Sequence, residues 1–508
     1  MRLMDKDSTQ QKVHRRTVLE TGGIILGIIS STGCTGLFQD NERTDRSSPT
    51  SEATPSATLT PTATPTGTPT STPTGDPVVA PTVTDTNTTT TPTTTPTSTP
   101  TPTPTATPES NQTKLSTNDG SEDENFGVSV AAADDGTTTL VGAPGVDVAG
   151  SVYVFDSGNG EWAQSARITS LDGDNGDDFG QSVALADDGT TALVGAPGVS
   201  EDEGGVSDNV GAAYVFAQSD GTWGREARLE AGDGTSDDMF GRAVALTSDG
   251  TTALVGAPGD ARPTQENVGA AYIFTRSGGS WSEEAKLVSD DGDDDDQFGS
   301  SVAVAGDGPT ALVGALFDED PNGNEAGSAY IFEPNDSEWA QQAKLAASDG
   351  DFNETFGRSV ALAGDGNTAL IGAPMHETDQ KRAAGAAYIF ERNGQSWIEQ
   401  IKLIAGDTDF DDRFGRSVAL SANGTTALAG AFGDEDPRGE RAGSAYIFER
   451  SDEMWSEETK LVADDGDERD RFGDAVGVGR DGAIAVVGAP GDKDSNEATT
   501  GSAYGFSL

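Results

Sequence analysis

Histidine and cysteine, on which most metal centres and many nucleophilic sites are built, are almost missing. Of 508 residues, two are His and one is Cys. A single thiol cannot close a disulfide within the chain. One histidine, His14, lies in the leader, so His376 stands alone in the remainder and a multi-histidine metal centre is excluded. Basic residues are scarce as well: 31 against 85 acidic ones, for a formal net charge of -54. Such a balance repels nucleic acid and anionic lipid surfaces, which excludes both as partners of the folded part. Long apolar runs are absent too. The stretch 22–29 falls well short of the roughly 20 residues that span a bilayer.

What is present begins with an address. Arg15-Arg16, followed by Thr17-Val18-Leu19 and the short apolar stretch, resembles a twin-arginine export signal. Ser31-Thr32-Gly33-Cys34 resembles a lipobox, which makes Cys34 the expected lipidation site and residues 1–33 the signal peptide. Ser31 departs from the Leu usual at its position, and a plain signal peptide is the alternative. After an anchor region, 34–46, residues 47–113 are dominated by Thr, Pro and Ser, with almost nothing apolar to bury. This composition predicts a disordered, mucin-like stalk, able to reach on the order of 200 Å if extended. Asn87 and Asn111 begin N-glycosylation sequons. The expected location is the extracellular face of the cell membrane, lipid-anchored, or else secreted. The acidic composition resembles that of secreted lipoproteins of halophilic archaea, where screening shrinks the Debye length to about 3 Å at 1 M salt.

From residue 114 to 508 the chain repeats. Phe-Gly recurs at Phe126, Phe179, Phe240, Phe298, Phe356, Phe414 and Phe472, with intervals of 53, 61 and then 58 residues four times. Each copy carries short apolar, β-branched runs bounded by Gly, Asp and Asn, which read as four strands. Asp-Gly or Asn-Gly separates the first two strands in all seven copies and predicts a tight two-residue hairpin with both residues at positive φ. Seven units of four antiparallel strands predict an all-β, seven-bladed β-propeller. The first strand carries small residues, as in Ser182, Ala184 and Ala186, and suits the crowded axis. All seven Tyr of the chain occupy one position in the third strand (Tyr153, Tyr214, Tyr272, Tyr330, Tyr388, Tyr446 and Tyr504), and six Trp open the fourth. Aromatics repeated so regularly predict packing between blades. The last copy ends without a fourth strand, and Thr113-Lys114-Leu115 matches the end of the missing one, so this segment is expected to pair beside Tyr504 and close the ring as a monomeric propeller.

At "FGQSVALADDGTTALVGAPG", starting at Phe179, the sequence resembles the FG-GAP repeat of integrin α-subunit propellers and many secreted microbial proteins. Gly-Ala-Pro is intact in five copies and departs to Gly-Ala-Leu at Gly314 and Gly-Ala-Phe at Gly430. The resemblance implies the propeller fold and a role in binding. In integrin-type repeats a calcium loop lies between FG and GAP, but here that interval holds only the Asp-Gly turn.

Acidic residues gather before each Phe-Gly instead. Asp stands seven residues before the Phe and Asp or Glu two before it in every copy. Three loops alternate oxygen-bearing side chains: Asp291, Asp293 and Asp295; Asp349, Asp351 and Asn353; Asp407, Asp409 and Asp411. Calcium takes six to eight oxygens, and it is the cation such loops would hold. The reading adopted is an Asx-turn at the first Asp with solvated acidity elsewhere. His376 falls in a variable loop and is expected at the surface. No catalytic residues and no obligatory cofactor are assigned. The expected function is cell-surface, non-catalytic binding or adhesion to protein or glycan. Specificity would lie in the loops 197–210, 258–268, 316–326, 374–384 and 432–442. The alternatives are a carboxylate-dependent enzyme acting on polysaccharide and a purely structural envelope component.

Overall fold

The computed structural model describes residues 111–117, 124–133, 136–145, 149–158, 161–200, 208–319, 323, 325–335, 338–378, 380–435, 438–493 and 498–508. All of them belong to the second of two units, residues 101–508. The expectations for Arg15, Arg16, Cys34 and Asn87 lie outside the described residues, as does Asp119.

Among the described residues, twenty-eight strands form seven antiparallel four-stranded sheets. Blade two is typical, with strands Ser182–Leu185, Thr191–Ala196, Ala212–Ser219 and Thr222–Leu229 in sequence order. The first strands touch one another around the axis. Their small side chains permit this approach, and Ser182 Oγ donates to Gly241 O of the next blade at 2.9 Å. Second strands are apolar on both faces because a neighbouring blade covers each; all six residues of Thr191–Ala196 are buried. Packing follows the same rule around the whole ring. Leu140, Val152 and Val154 of blade one meet Phe179, Val194, Tyr214 and Phe216 of blade two, with Trp223 against their edge. The corresponding cluster between blades seven and one joins Val486 and Ala503 to Phe126, Tyr153 and Phe155. The Tyr and Trp positions thus pack between blades, as their periodicity predicts. Phe179 meets the Tyr214 and Phe216 rings edge-on at 5.6 and 5.9 Å, a favourable geometry for the ring quadrupoles.

Ring closure has the expected form. The strand Asn111–Leu115 pairs antiparallel with Ser502–Ser507, Lys114 opposite Tyr504 and Leu115 opposite Ala503. It takes in three residues, 111–113, that composition assigns to the stalk.

The two signature glycines have a steric cause. A Cβ on Gly195, of Gly-Ala-Pro in blade two, would lie 2.0 Å from the carbonyl oxygen of Gly241, in the Phe-Gly of blade three. Gly241 itself has φ +91°, a conformation other residues rarely adopt. Its N–H donates to Gly256 O in its own blade at 3.0 Å. Each Phe-Gly is therefore wedged between two Gly-Ala segments, one from its own blade and one from the blade before.

The expected two-residue hairpin is corrected. Gly189, Gly250, Gly366, Gly424 and Gly482 take positive φ, but Asp188, Asp249, Asp365, Asn423 and Asp481 do not. Instead the Asp188 carboxylate accepts the backbone N–H of Thr190 at 2.9 Å, and the ladder resumes at Ala186 and Thr191. This side-chain bond goes with a φ that is not positive at the Asp, and the connection is correspondingly longer.

Candidate functional site

Blades three to seven each carry a partly buried polar node where the incoming connection meets the third and fourth strands. In blade four, the Tyr330 hydroxyl lies between two carboxylates, 3.0 Å from Asp291 Oδ1 and also against Asp318, with its single hydrogen to donate between them. Lys344 Nζ sits 2.7 Å from Asp291 and 3.1 Å from Asp318. The same unit recurs as Tyr272, Asp233, Asp260 and Lys286 in blade three, and as Tyr446, Asp407, Asp434 and Lys460 in blade six. Blade seven borrows its lysine from the closing strand: Lys114 Nζ lies 2.7 Å from Asp465 and 2.5 Å from Asp492. Burial pushes the Asp291 carboxyl up, but hydrogen bonds from Lys344 and Tyr330 outweigh it and hold the group below its ordinary range. Burial and the two carboxylates drive the Tyr330 hydroxyl far up, so it remains a donor.

The acidic residue two before the Phe is buried rather than solvated, which corrects the sequence reading. Asp296 is 3% exposed and Asp470 1%. Asp296 Oδ2 accepts the N–H of Asp293 at 2.7 Å, and the bond recurs from Asp467 to Asp470 at 2.6 Å. Burial, followed by the charge of Asp318, pushes Asp296 up to about 7. Burial likewise takes Asp412 and Asp470 up to about 6.

The loop carboxylates proposed for calcium turn to separate partners. Asp291 holds Tyr330 and Lys344; Asp293 accepts from Gln265 Nε2 at 3.1 Å; Asp295 accepts from Asn267 Nδ2 at 2.8 Å. Asp349 holds Tyr388 and Lys402, while Asp351 accepts the N–H of Phe352 and Asn353 turns to positive φ. Asp407 holds Tyr446 and Lys460, Asp409 accepts the N–H of Phe410, and Asp411 pairs with Arg413 and Arg441. Among the described residues no three His, Cys, Asp or Glu side chains gather as a metal ligand set. So arranged, these loops do not fit a calcium shell of six to eight oxygens.

His376 is not at the surface: it is 4% exposed. It occupies the node position held by Asp260, Asp318, Asp434 and Asp492 in four other blades. Nδ1 lies 2.8 Å from Glu354 Oε1 and Nε2 lies 3.2 Å from Lys402 Nζ. The hydrogen-bond pattern assigns the proton to Nδ1, leaving Nε2 to accept from the ammonium. A 58-residue register extended through the loops reveals this substitution.

Arg480 has no counterpart in the other repeats. From blade seven, Nη1 reaches Asp187 of blade two and Nη2 reaches Asp307 of blade four, each at 2.6 Å. It spans the axis at the end where first and second strands join.

The loops between second and third strands lie at the opposite end, with the Phe-Gly turns. Gly211, Gly269 and Gly443, which end such loops, bridge to Phe240, Phe298 and Phe472 of the following blades. The described ends of these loops therefore share one face.

A seven-bladed propeller locked by interleaved Phe-Gly and Gly-Ala segments defines the class of this protein. It belongs to the FG-GAP repeat family, whose model matches residues 110–155, 162–216, 223–274, 281–332, 339–390, 397–448 and 455–506. The chain is also similar to integrin alpha-2 of Mus musculus, with 29% identity over 165 residues. That match covers 29% of this chain and 13% of the relative, so the chain spans a small part of the relative's length.

Proposed function

We propose that this protein is a non-catalytic binding propeller displayed at the outer face of a cell membrane. The observation that carries the reading is the division of labour within each repeat. Aromatic clusters are internal and polar nodes partly so, whereas the described ends of the loops between second and third strands lie beside the Phe-Gly turns. Membership of the FG-GAP family and similarity to an integrin α-subunit support a role in binding protein, with glycan as a second ligand class. The nodes, repeated from blade three to blade seven and tied to Lys and Tyr, support a structural use of carboxylates over catalysis.

Export through Arg15 and Arg16, lipidation of Cys34, and a glycosylated spacer over 47–113 complete the proposal. The acidic balance supports life in concentrated salt, as in lipoproteins of halophilic archaea. Replacing the loops 316–326, 374–384 and 432–442 with short Gly-Ser turns is expected to abolish partner capture from a surface extract in high salt while leaving melting unchanged. Undiminished capture would refute the loop-face reading. Hydrolysis of a polysaccharide, lost on an Asp→Asn change, would replace binding by catalysis. Mass spectrometry of the mature N-terminus tests the anchor, and Cys34→Ser is expected to release the protein into the medium.

A further inference from the structure

We propose that the inner rim of the Phe-Gly face, across blades five to seven, is a site for a carboxylate side chain of an acidic partner peptide. The proposal rests on the reading of this face as the binding face. In every blade, Phe-Gly forms the centre of a turn in which the residue after Gly donates its N–H to the residue before Phe, as from Arg416 to Arg413 at 3.1 Å. The two flanking residues stand at the start of the first strand, beside the axis. In blades one to four these flanking pairs are Asn125 and Val128, Asp178 and Gln181, Met239 and Arg242, and Gln297 and Ser300. They hold one Arg and one Asp. In blades five to seven they are Thr355 and Arg358, Arg413 and Arg416, and Arg471 and Asp474, which is four Arg to one Asp. A chain with net charge -54 thus concentrates positive charge at one rim.

The arginines are organised around two residues. Asp474, whose side chain is 3% exposed, accepts Arg416 Nε at 3.1 Å and Arg471 Nη2 at 2.9 Å. The ring of Phe432 has the guanidinium carbons of Arg413, Arg416 and Arg471 at 5.3, 5.6 and 5.2 Å from its centre. Phe432 is the residue that replaces Pro in Gly-Ala-Pro of blade six. Arg413 also pairs with Asp411 at 3.0 Å. Arg413, Arg416 and Arg471 are thus set against Asp474 and Asp411. The side chains of Arg413, Arg416 and Arg471 are only 26%, 14% and 21% exposed, and partly desolvated cations in excess favour an added anion. Asp474 engages one nitrogen of each arginine, so Nη1 and Nη2 of Arg416 remain outside that pair in the planar fork that matches a carboxylate.

Guanidiniums held over the buried ring of Phe432 present a cationic rim that fits a carboxylate on a slender stem, which is an Asp or Glu side chain. A uronate carries its carboxylate on a bulkier, hydroxylated ring.

The test is anisotropy of a fluorescent octaglutamate peptide with the whole chain, at the lowest salt that preserves its circular dichroism spectrum. Octaglutamine and polygalacturonate are the comparison probes. Octaglutamate is expected to bind, octaglutamine to fail, and Arg413→Gln with Arg471→Gln to weaken binding by about tenfold or more. Phe432→Pro restores the common motif, keeps every charge, and is also expected to weaken binding. It serves as the second variant should the double arginine change unfold. Arg276→Gln, in the third strand of blade three where it pairs with Glu226, is expected to change nothing. The proposal is overturned if octaglutamate binds no better than octaglutamine, if either folded variant binds as the parent does, or if polygalacturonate binds more tightly with the same arginine dependence. The loop-face reading fails through the capture experiment instead, so the two failures are distinguishable.

Discussion

At the scale of single residues, the buried Asp296, Asp412 and Asp470 make the domain sensitive to pH. Their folded carboxyls lie at about 7, 6 and 6, above the ordinary value of 3.8 that the unfolded chain presents. A raised acid binds its proton more tightly when folded. Its contribution is complete below 3.8 and is lost as pH rises through 6 to 7. The Lys-paired Asp291, Asp407 and Asp465 are lowered, so their contribution is lost only as pH falls below 3.8. The domain should therefore melt higher at pH 5 than at pH 8. Asp296→Asn with Asp412→Asn and Asp470→Asn should flatten that slope, because the amide still accepts the backbone N–H. An unchanged slope in the triple variant would refute the assignment. His376 gives a second case. His376→Asp restores the residue of the other nodes and should be tolerated, whereas His376→Ala leaves Glu354 and Lys402 short of a partner and should cost about 1–3 kcal/mol in denaturant titration. The tyrosine of each node was legible from its period. The burial of the residue two before Phe was not, since an Asp in an acidic loop looks the same whether water or a backbone N–H satisfies it.

Elements show the same split between pattern and geometry. Strand number, order and the closing segment follow from alternation and spacing, which burial enforces directly. The turn type did not follow, because Asp-Gly is compatible with several connections and the side-chain bond from Asp188 to Thr190 decides among them. A bulge shared by the third and fourth strands, between Ile331 and Phe332 in blade four, leaves no mark in composition. The glycine wedge is the most exacting element. Gly195→Ala should destabilise by about 3 kcal/mol or more, because the added methyl meets backbone at 2.0 Å and neither blade can yield without breaking its ladder. A melting temperature within experimental error of the parent would refute that account. The acidic loops make the opposite prediction. At constant molar salt, a chelator should leave melting unchanged. A calcium-dependent rise, lost in Asp291→Ala with Asp293→Ala and Asp295→Ala, would show that these side chains reorganise into a metal site.

For the whole molecule, screening and closure dominate. With net charge -54, added monovalent salt should raise the melting temperature smoothly, through relief of self-repulsion. Deleting 111–115 removes the fourth strand of blade seven together with Lys114, so it should lower stability of the entire ring and expose the edge of Ser502–Ser507 to pairing with other chains. Light scattering of the truncated protein tests this, and a monomer as stable as the parent would refute it. Closure also has a mechanical side. The chain enters the domain through the closing strand, whose first residue, Asn111, pairs with Ser507 at the far end of the ladder. A pull on residues before 111 is therefore taken up first by five backbone pairs, peeled one at a time from Asn111, before any other blade bears load. The seam that seals the ring is therefore the part that such a pull loads first.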